Sequence, residues 1–349
     1  MSSGPEADDA RTRVPSITSG IRHGHLRTTL LTDDGVRIEA AYEPRAGAGD
    51  RPAEGAADGG DTSLTGAEDG GEGAGAGPSD DLAIVVAHGF TGSLHRPALQ
   101  RAARTFGRHA AVITFSFRGH GRSGGRSTVG DREVLDLAAA VRWARSLGHT
   151  RVATAGFSMG GSVVIRHAAL HRPPPADATE TPGDTASSRP GTHTDAVVAV
   201  SAPARWYYRG TAPMRRLHWV VQRPVGRLVG RFGLRTRIHA KDWSPVPLSP
   251  VEAVPLIPPV PLLIVHGDQD PYFPLDHPLS LAAAAPEGAA ELWIEEGLGH
   301  AENAAEAALL DRVADWLVAA VGPGTGTPPP SGRTPPGRSP RPGSPPQTP

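Results

Sequence analysis

Short apolar runs alternate along this chain with longer stretches of helical spacing. "LAIVVAHG" (82–89), "AVITFSF" (111–117), "RVATAGF" (151–157), "DAVVAVSAP" (195–203), "PLLIVHG" (261–267) and "AELWIEE" (290–296) are rich in β-branched and aliphatic residues. Runs of that kind read as buried strands. Residues 96–107, 131–147, 159–171, 274–285 and 302–320 carry helical periodicity, and Asp131 is read as the N-cap of the second. Strand–helix alternation predicts an α/β, doubly wound, mostly parallel sheet with helices on both faces. Ahead of it, "HLRTTLLTDDGVRIEAAYEP" (25–44) reads as an antiparallel pair turned at Asp34-Gly35. At 349 residues the chain has room for one large α/β domain, expected over 25–321.

Four stretches break the alternation. Residues 1–24, 45–81, 172–194 and the tail 322–349 hold few large apolar residues and much Gly, Pro, Ser, Thr or Asp. They cannot bury enough apolar surface to offset their ordering entropy, so they are expected to be disordered. The two internal ones read as loop insertions, because periodic segments resume on either side. The first residues lack the apolar run and small-residue cleavage pattern of a secretory signal, and no apolar run spans a bilayer. A cytoplasmic location is therefore expected. The formal net charge of −1 favours no partner in bulk, and no nucleic-acid partner is expected. Cysteine is absent, which excludes disulfides, thiol catalysis and Cys-ligated zinc.

In a doubly wound sheet reactive groups gather at the carboxyl ends of the strands. His88-Gly89-Phe90 closes the first apolar run, and Ser158 stands between a strand and a helix within "TAGFSMGGS". With 43 Gly in 349 residues, G-x-S-x-G alone carries little weight, and its surroundings decide. Asp268 and Asp270 follow "PLLIVHG", and His300 follows the last strand in "EGLGHAE". Gly156 and Gly160 would relieve crowding where strand turns into helix, leaving the Ser158 hydroxyl exposed. A serine is inert at its free pKa and needs an imidazole base, the role open to His300. A buried carboxylate, Asp270 or Asp268, would hold that ring's tautomer. The backbone N–H groups of Phe90 and Met159 would stabilise an oxyanion. His88 reads as a brace for this loop.

"HGFTGS", "FSFRGHGRSGG", "GFSMGG", "HGDQDPYFP" and "GLGHAE", in that order, resemble the α/β-hydrolase superfamily, in its esterase, monoacylglycerol-lipase-like and serine-peptidase-like branch. The resemblance spans roughly residues 25–320. It implies a serine nucleophile, an acyl-enzyme intermediate and no cofactor. In the family's H-G-x-x-D pattern the acid is the last residue, which is Asp270 here, with Asp268 as fallback. The expected function is hydrolysis of carboxylic esters or thioesters of a small-molecule acyl substrate. An acyltransferase and a small-amide peptidase use the same triad, and a binding protein could keep it for ligand capture.

Two other motifs point elsewhere and fail. "GHGRSG" (119–124) satisfies the dinucleotide pattern after a strand, yet the next helix starts too late and no acid ends a following strand. "HGH" (23–25) lacks clustered carboxylates, and no metal spacing occurs, so no metal is expected. Residues 202–250 are read as a small cap over the site. From Arg205 to Lys241 this segment carries ten basic residues and no acid. Arg223, Arg227, Arg231 and Arg235 recur every fourth place, a cationic stripe opposite Leu228, Val229 and Phe232, although Pro224, Gly226, Gly230 and Gly233 should weaken the helix. Charge segregation of this kind suits an anionic membrane surface or an anionic acyl substrate. Trp206, Tyr207, Tyr208, Trp219 and Trp243 suggest an apolar acyl pocket. Oligomeric state is not legible.

Overall fold

The computed structural model describes residues 24–47, 81–173 and 191–322. Of the stretches expected to be disordered, residues 1–23, 48–80, 174–190 and 323–349 lie outside the described residues. Thr192 and Thr194, at the end of the second insertion, are buried in the folded body.

Eight strands form one sheet in the order β1-β2-β4-β3-β5-β6-β7-β8. They are β1 Leu26–Leu31, β2 Arg37–Glu43, β3 Leu82–Ala87, β4 Ala111–Phe115, β5 Arg151–Phe157, β6 Ala196–Val200, β7 Leu262–Gly267 and β8 Ala290–Glu295. β1 and β2 pair antiparallel, as do β2 and β4, and every other neighbouring pair is parallel. At the hairpin turn Gly35 takes φ +80°, a conformation glycine adopts without steric cost, and its N–H donates to the Thr32 carbonyl.

The helices are α1 Pro97–Phe106, α2 Glu133–Ser146, α3 Met159–Leu170, α4 Ala212–Gln222, α5 Pro224–Phe232, α6 Pro250–Ala253, α7 Asp276–Ala284, α8 Ala301–Ala304 and α9 Ala307–Ala320. The helix expected over 302–320 is broken in two, because Ala305 and Glu306 are extended. Period-two alternation along the buried strands sorts side chains to two cores. Ala83, Val85 and Ala87 face a core filled by α2, α3 and α7, whereas Leu82, Ile84 and Val86 face one filled by α1 and α9. Both faces of the sheet are covered, which is why its inner strands read as continuous apolar runs.

Asp131 does not cap α2. The helix begins after Arg132 without a side-chain cap. Instead the buried Glu133 carboxylate turns back on the preceding loop, accepting from the Ser127 and Thr128 hydroxyls and from the Thr128 and Gly130 amides at 2.6–2.9 Å. A carboxylate with four donors costs little to bury, and it fixes this loop against the cap.

β3 lies between β4 and β5, so the chain winds outward to β4 and then returns to the other side. Ala87 pairs with Gly156 at the carboxyl ends of β3 and β5. That reversal opens a crevice at the strand ends, where His88, Gly89, Phe90 and Ser158 converge.

Candidate active site

Ser158 alone makes the turn from β5 to α3, with φ 51° and ψ −114°. A non-glycine residue there is strained by about 1–3 kcal/mol, and the surroundings must hold it. Its N–H donates to Val200 O at 2.9 Å, and its carbonyl accepts from Ser162 N at 3.2 Å. The flanking glycines serve close approach. A Cβ on Gly156 would stand 2.2 Å from Gly160 O, one on Gly160 2.3 Å from Ala87 O, and one on Gly161 2.8 Å from the Ala202 methyl. The first turn of α3 is thereby pressed against the ends of β3 and β6.

His300 Nε2 lies 2.9 Å from Ser158 Oγ, and His300 Nδ1 lies 2.7 Å from Asp270 Oδ2. The Asp270 side chain is fully buried. Its Oδ1 accepts from the Tyr272 and Phe273 amides at 2.8 and 3.1 Å. Burial by itself would raise this carboxyl. The hydrogen bond and charge of His300, with the two amides, overcome it and hold the group below its ordinary value. A carboxylate acceptor at Nδ1 places the proton there, leaving the Nε2 lone pair for the Ser158 hydroxyl. Asp268, the alternative acid, is elsewhere: its Oδ1 accepts from Gly297 N at 2.7 Å and tightens the turn after β8.

The loop after β3 is held by neutral histidines. Phe117 N–H donates to His88 Nε2 at 3.0 Å, so the Nδ1 proton donates to Gly89 O at 2.7 Å. Thr91 N–H donates to His120 Nε2 at 3.3 Å, and His120 Nδ1 donates to Arg118 O at 3.0 Å. Burial pushes His88 down to about 3 and His120 down to about 4, so both serve as uncharged struts. The role expected of His88 as a brace matches these contacts. Among the described residues no acceptor meets the N–H of Phe90 or Met159. Met159 follows Ser158 and begins a helix, where the first N–H groups have no intrahelical partner, and Gly89, just before Phe90, packs so close that a Cβ on it would stand 3.3 Å from Ser158 Cβ.

Several site residues escaped the sequence reading. Glu302, buried two places after His300, accepts Gly89 N–H at 3.1 Å and so ties the β3 loop to the histidine loop. Ser201, at φ 51° after β6, accepts Ala301 N–H at 3.1 Å and anchors the residue following His300. The Tyr272 ring stacks on the imidazole at 4.2 Å. Behind Asp270, burial pushes His266 down, and its Nε2 proton donates to Phe273 O at 2.9 Å. Only the position of Glu302 in "GHAE" was available as a signal, since the partners of the others are far away in sequence.

Ser158 and His300 open onto a cavity of about 490 Å³. Its walls include Phe90, Met159, Trp206, Met214, Leu217 and Trp243, so most of the aromatics expected in a pocket are there; Trp219 is not among its lining. The cap forms its roof and is tied to the body by backbone pairing of Arg237 and His239 with Ser127, and by Trp243 Nε1–H donating to Thr128 O at 2.7 Å. The loop at 119–128, whose residues 119–124 matched a dinucleotide pattern, is the other half of that seam. The four-arginine stripe is only half made: Arg227 and Arg231 lie in α5, Arg223 is its N-cap, and Arg235 lies beyond its end at φ 55°. Gly226 and Gly230, expected to weaken α5, are its packing face. A Cβ on Gly226 would stand 2.3 Å from Trp219 O, and one on Gly230 3.0 Å from the Ile238 side chain.

Residues 83–178 match the family model for the α/β hydrolase fold. No curated protein sequence matches the chain. Among solved structures, esterase Pf2001 of Pyrococcus furiosus is similar at 19% identity and TM-score 0.57, over 88% of this chain and 97% of that one. The α/β hydrolase GrgF from Penicillium sp. sh18 is similar at 16% identity and TM-score 0.58, over 86% of this chain and 99% of that one. The sheet order and these matches show that the chain has the α/β-hydrolase fold.

Proposed function

We propose that this chain is a serine hydrolase that cleaves carboxylic esters or thioesters bearing an apolar acyl group. One observation carries the reading. Ser158 Oγ, His300 and Asp270 form an unbroken hydrogen-bonded row of 2.9 and 2.7 Å at the mouth of an apolar cavity. The esterase among the structural neighbours is consistent with it.

In this mechanism Ser158 Oγ attacks the substrate carbonyl carbon as its proton passes to His300 Nε2. Buried Asp270 stabilises the imidazolium that results. The carbonyl oxygen becomes an oxyanion and takes hydrogen bonds from Phe90 N–H and Met159 N–H, each worth about 3 kcal/mol. Collapse breaks the ester C–O bond, and the Nε2 proton goes to the departing alkoxide. Water then enters, gives a proton to Nε2 and attacks the acyl carbon. Expulsion of Ser158, which regains the proton, releases the carboxylic acid.

The test is turnover of p-nitrophenyl esters over a short-to-long acyl series, with fluorophosphonate labelling read by peptide mass. The expected result is label on Ser158 and a loss on the order of 10⁶-fold for Ser158→Ala. Absence of both turnover and label defeats the proposal. Turnover of anilides but not esters would assign a peptidase instead, and net transfer to added alcohols in preference to water would assign an acyltransferase.

A further inference from the structure

Helix α5 is amphipathic in the wrong sense for a helix packed on a protein. At about 100° per residue, Val225, Leu228, Val229 and Phe232 fall within one arc, Gly226 and Gly230 on a second, and Arg227 and Arg231 on a third. The glycine arc is the one that meets the body, against α4 and Ile238. The apolar arc faces water, with Val225 63%, Leu228 57%, Val229 45% and Phe232 71% exposed. A contiguous exposed apolar face of this kind marks an interaction surface.

Its surroundings select the partner. Of the ten basic residues from Arg205 to Lys241, Arg205 is the only one in an ion pair among the described residues, with Asp276. Arg231 lies over the Phe232 ring at 5.4 Å, and Arg227 donates to the last carbonyls of α4. A second copy of the chain is a poor occupant, because a two-fold contact through this face sets Arg231 and Arg235 against their own like charges. A nucleic acid would use the arginines and leave the apolar arc in water. An anionic lipid surface satisfies both, taking the apolar arc below the headgroups and the arginines at them.

We propose that α5 docks this protein on an anionic lipid surface. Arg216, Leu217, Val220 and Val221 of α4 line the cavity, while α5 packs on that helix. Docking through α5 therefore brings the roof of the cavity to the membrane. The inference goes beyond the hydrolase reading and is measured without turnover.

The experiment is co-sedimentation of the full chain with vesicles of phosphatidylcholine, with and without phosphatidylglycerol, across a salt series. Two double variants are compared with the parent: Leu228→Ser with Phe232→Ser, and Arg231→Gln with Arg235→Gln. None of these side chains lines the cavity, so p-nitrophenyl butyrate turnover and circular dichroism serve as fold controls. Preferential, salt-sensitive binding of the parent to anionic vesicles is expected. The serine pair should weaken it at least about tenfold, and the glutamine pair on the order of tenfold with a shallower salt dependence. Equal binding to neutral and anionic vesicles, no binding to either, or an unchanged serine pair would overturn the proposal. A dimer in ultracentrifugation that the serine pair dissolves would assign the surface to self-association instead.

Discussion

Replacing Asp270 by Asn tests the chemistry most directly, because the structure dictates how the amide must sit. Tyr272 N–H and Phe273 N–H both need an acceptor where Oδ1 now lies, 2.8 and 3.1 Å away. The amide oxygen takes that place, which turns the NH₂ group toward His300 Nδ1. The ring must then accept at Nδ1 and carry its proton on Nε2, so it donates to Ser158 Oγ and cannot act as its base. The carboxylate charge is also lost. At a separation of about 4 Å and an effective dielectric of about 20, it stabilises the transition-state imidazolium by about 4 kcal/mol, or about 10³ in rate. With the inverted tautomer added, kcat should fall by about 10³–10⁴ and kcat/KM by a similar factor. The assay is steady-state hydrolysis of p-nitrophenyl butyrate, with thermal melting as the fold control. Asp268→Asn, which touches only the Gly297 turn, should lose less than about threefold. A folded Asp270→Asn protein within tenfold of the parent, or an equal loss in Asp268→Asn, refutes the reasoning.

Two further outcomes are expected. Glu302→Ala strands the buried Gly89 N–H, costing about 1–3 kcal/mol and freeing the loop that carries Phe90, so kcat should drop with little change in KM. Glu302→Gln keeps an acceptor and should recover most of the rate, and equal rates in both variants would remove Glu302 from loop positioning. Burial holds His88, His120 and His277, the last in α7 with its Nδ1 accepting the Ala204 N–H at 2.9 Å, neutral, with pKa values of about 3, about 4 and about 4 against an ordinary 6.5. Between pH 6.5 and 4 the unfolded chain binds protons that the folded chain refuses, so their stabilisation is complete above 6.5 and lost as pH falls toward 4. Melting should drop on the order of 10 °C from about pH 7 to about pH 4.5. A flat profile across that window would contradict it.

Much of the scaffold was legible because its signals are local. Strands buried on both faces show as unbroken apolar runs, and helices covering them show one apolar stripe. The three groups of the serine row each follow a strand, in chain order, so proximity at one end of the sheet followed from topology. Asp131 was misread because a cap is judged on its residue type, whereas Glu133 satisfied the same loop from inside the helix. The arginine stripe was misread because periodicity does not reveal that α5 stops at Phe232.

The amino-acid sequence by itself determined the class of fold, singled out Ser158 and His300 as candidates, and showed the segregation of charge into one segment. Periodicity, residue type and order along the chain contain those. Tertiary structure separated Asp268 from Asp270, since only three-dimensional placement puts one carboxylate 2.7 Å from the imidazole and the other under a turn. It also recruited Glu302 and Ser201, whose partners lie 213 and 100 residues away. And it turned the apolar arc of α5 outward, because Gly226 permits a backbone approach to α4 that no larger residue allows, while Gly230 packs on the Ile238 side chain.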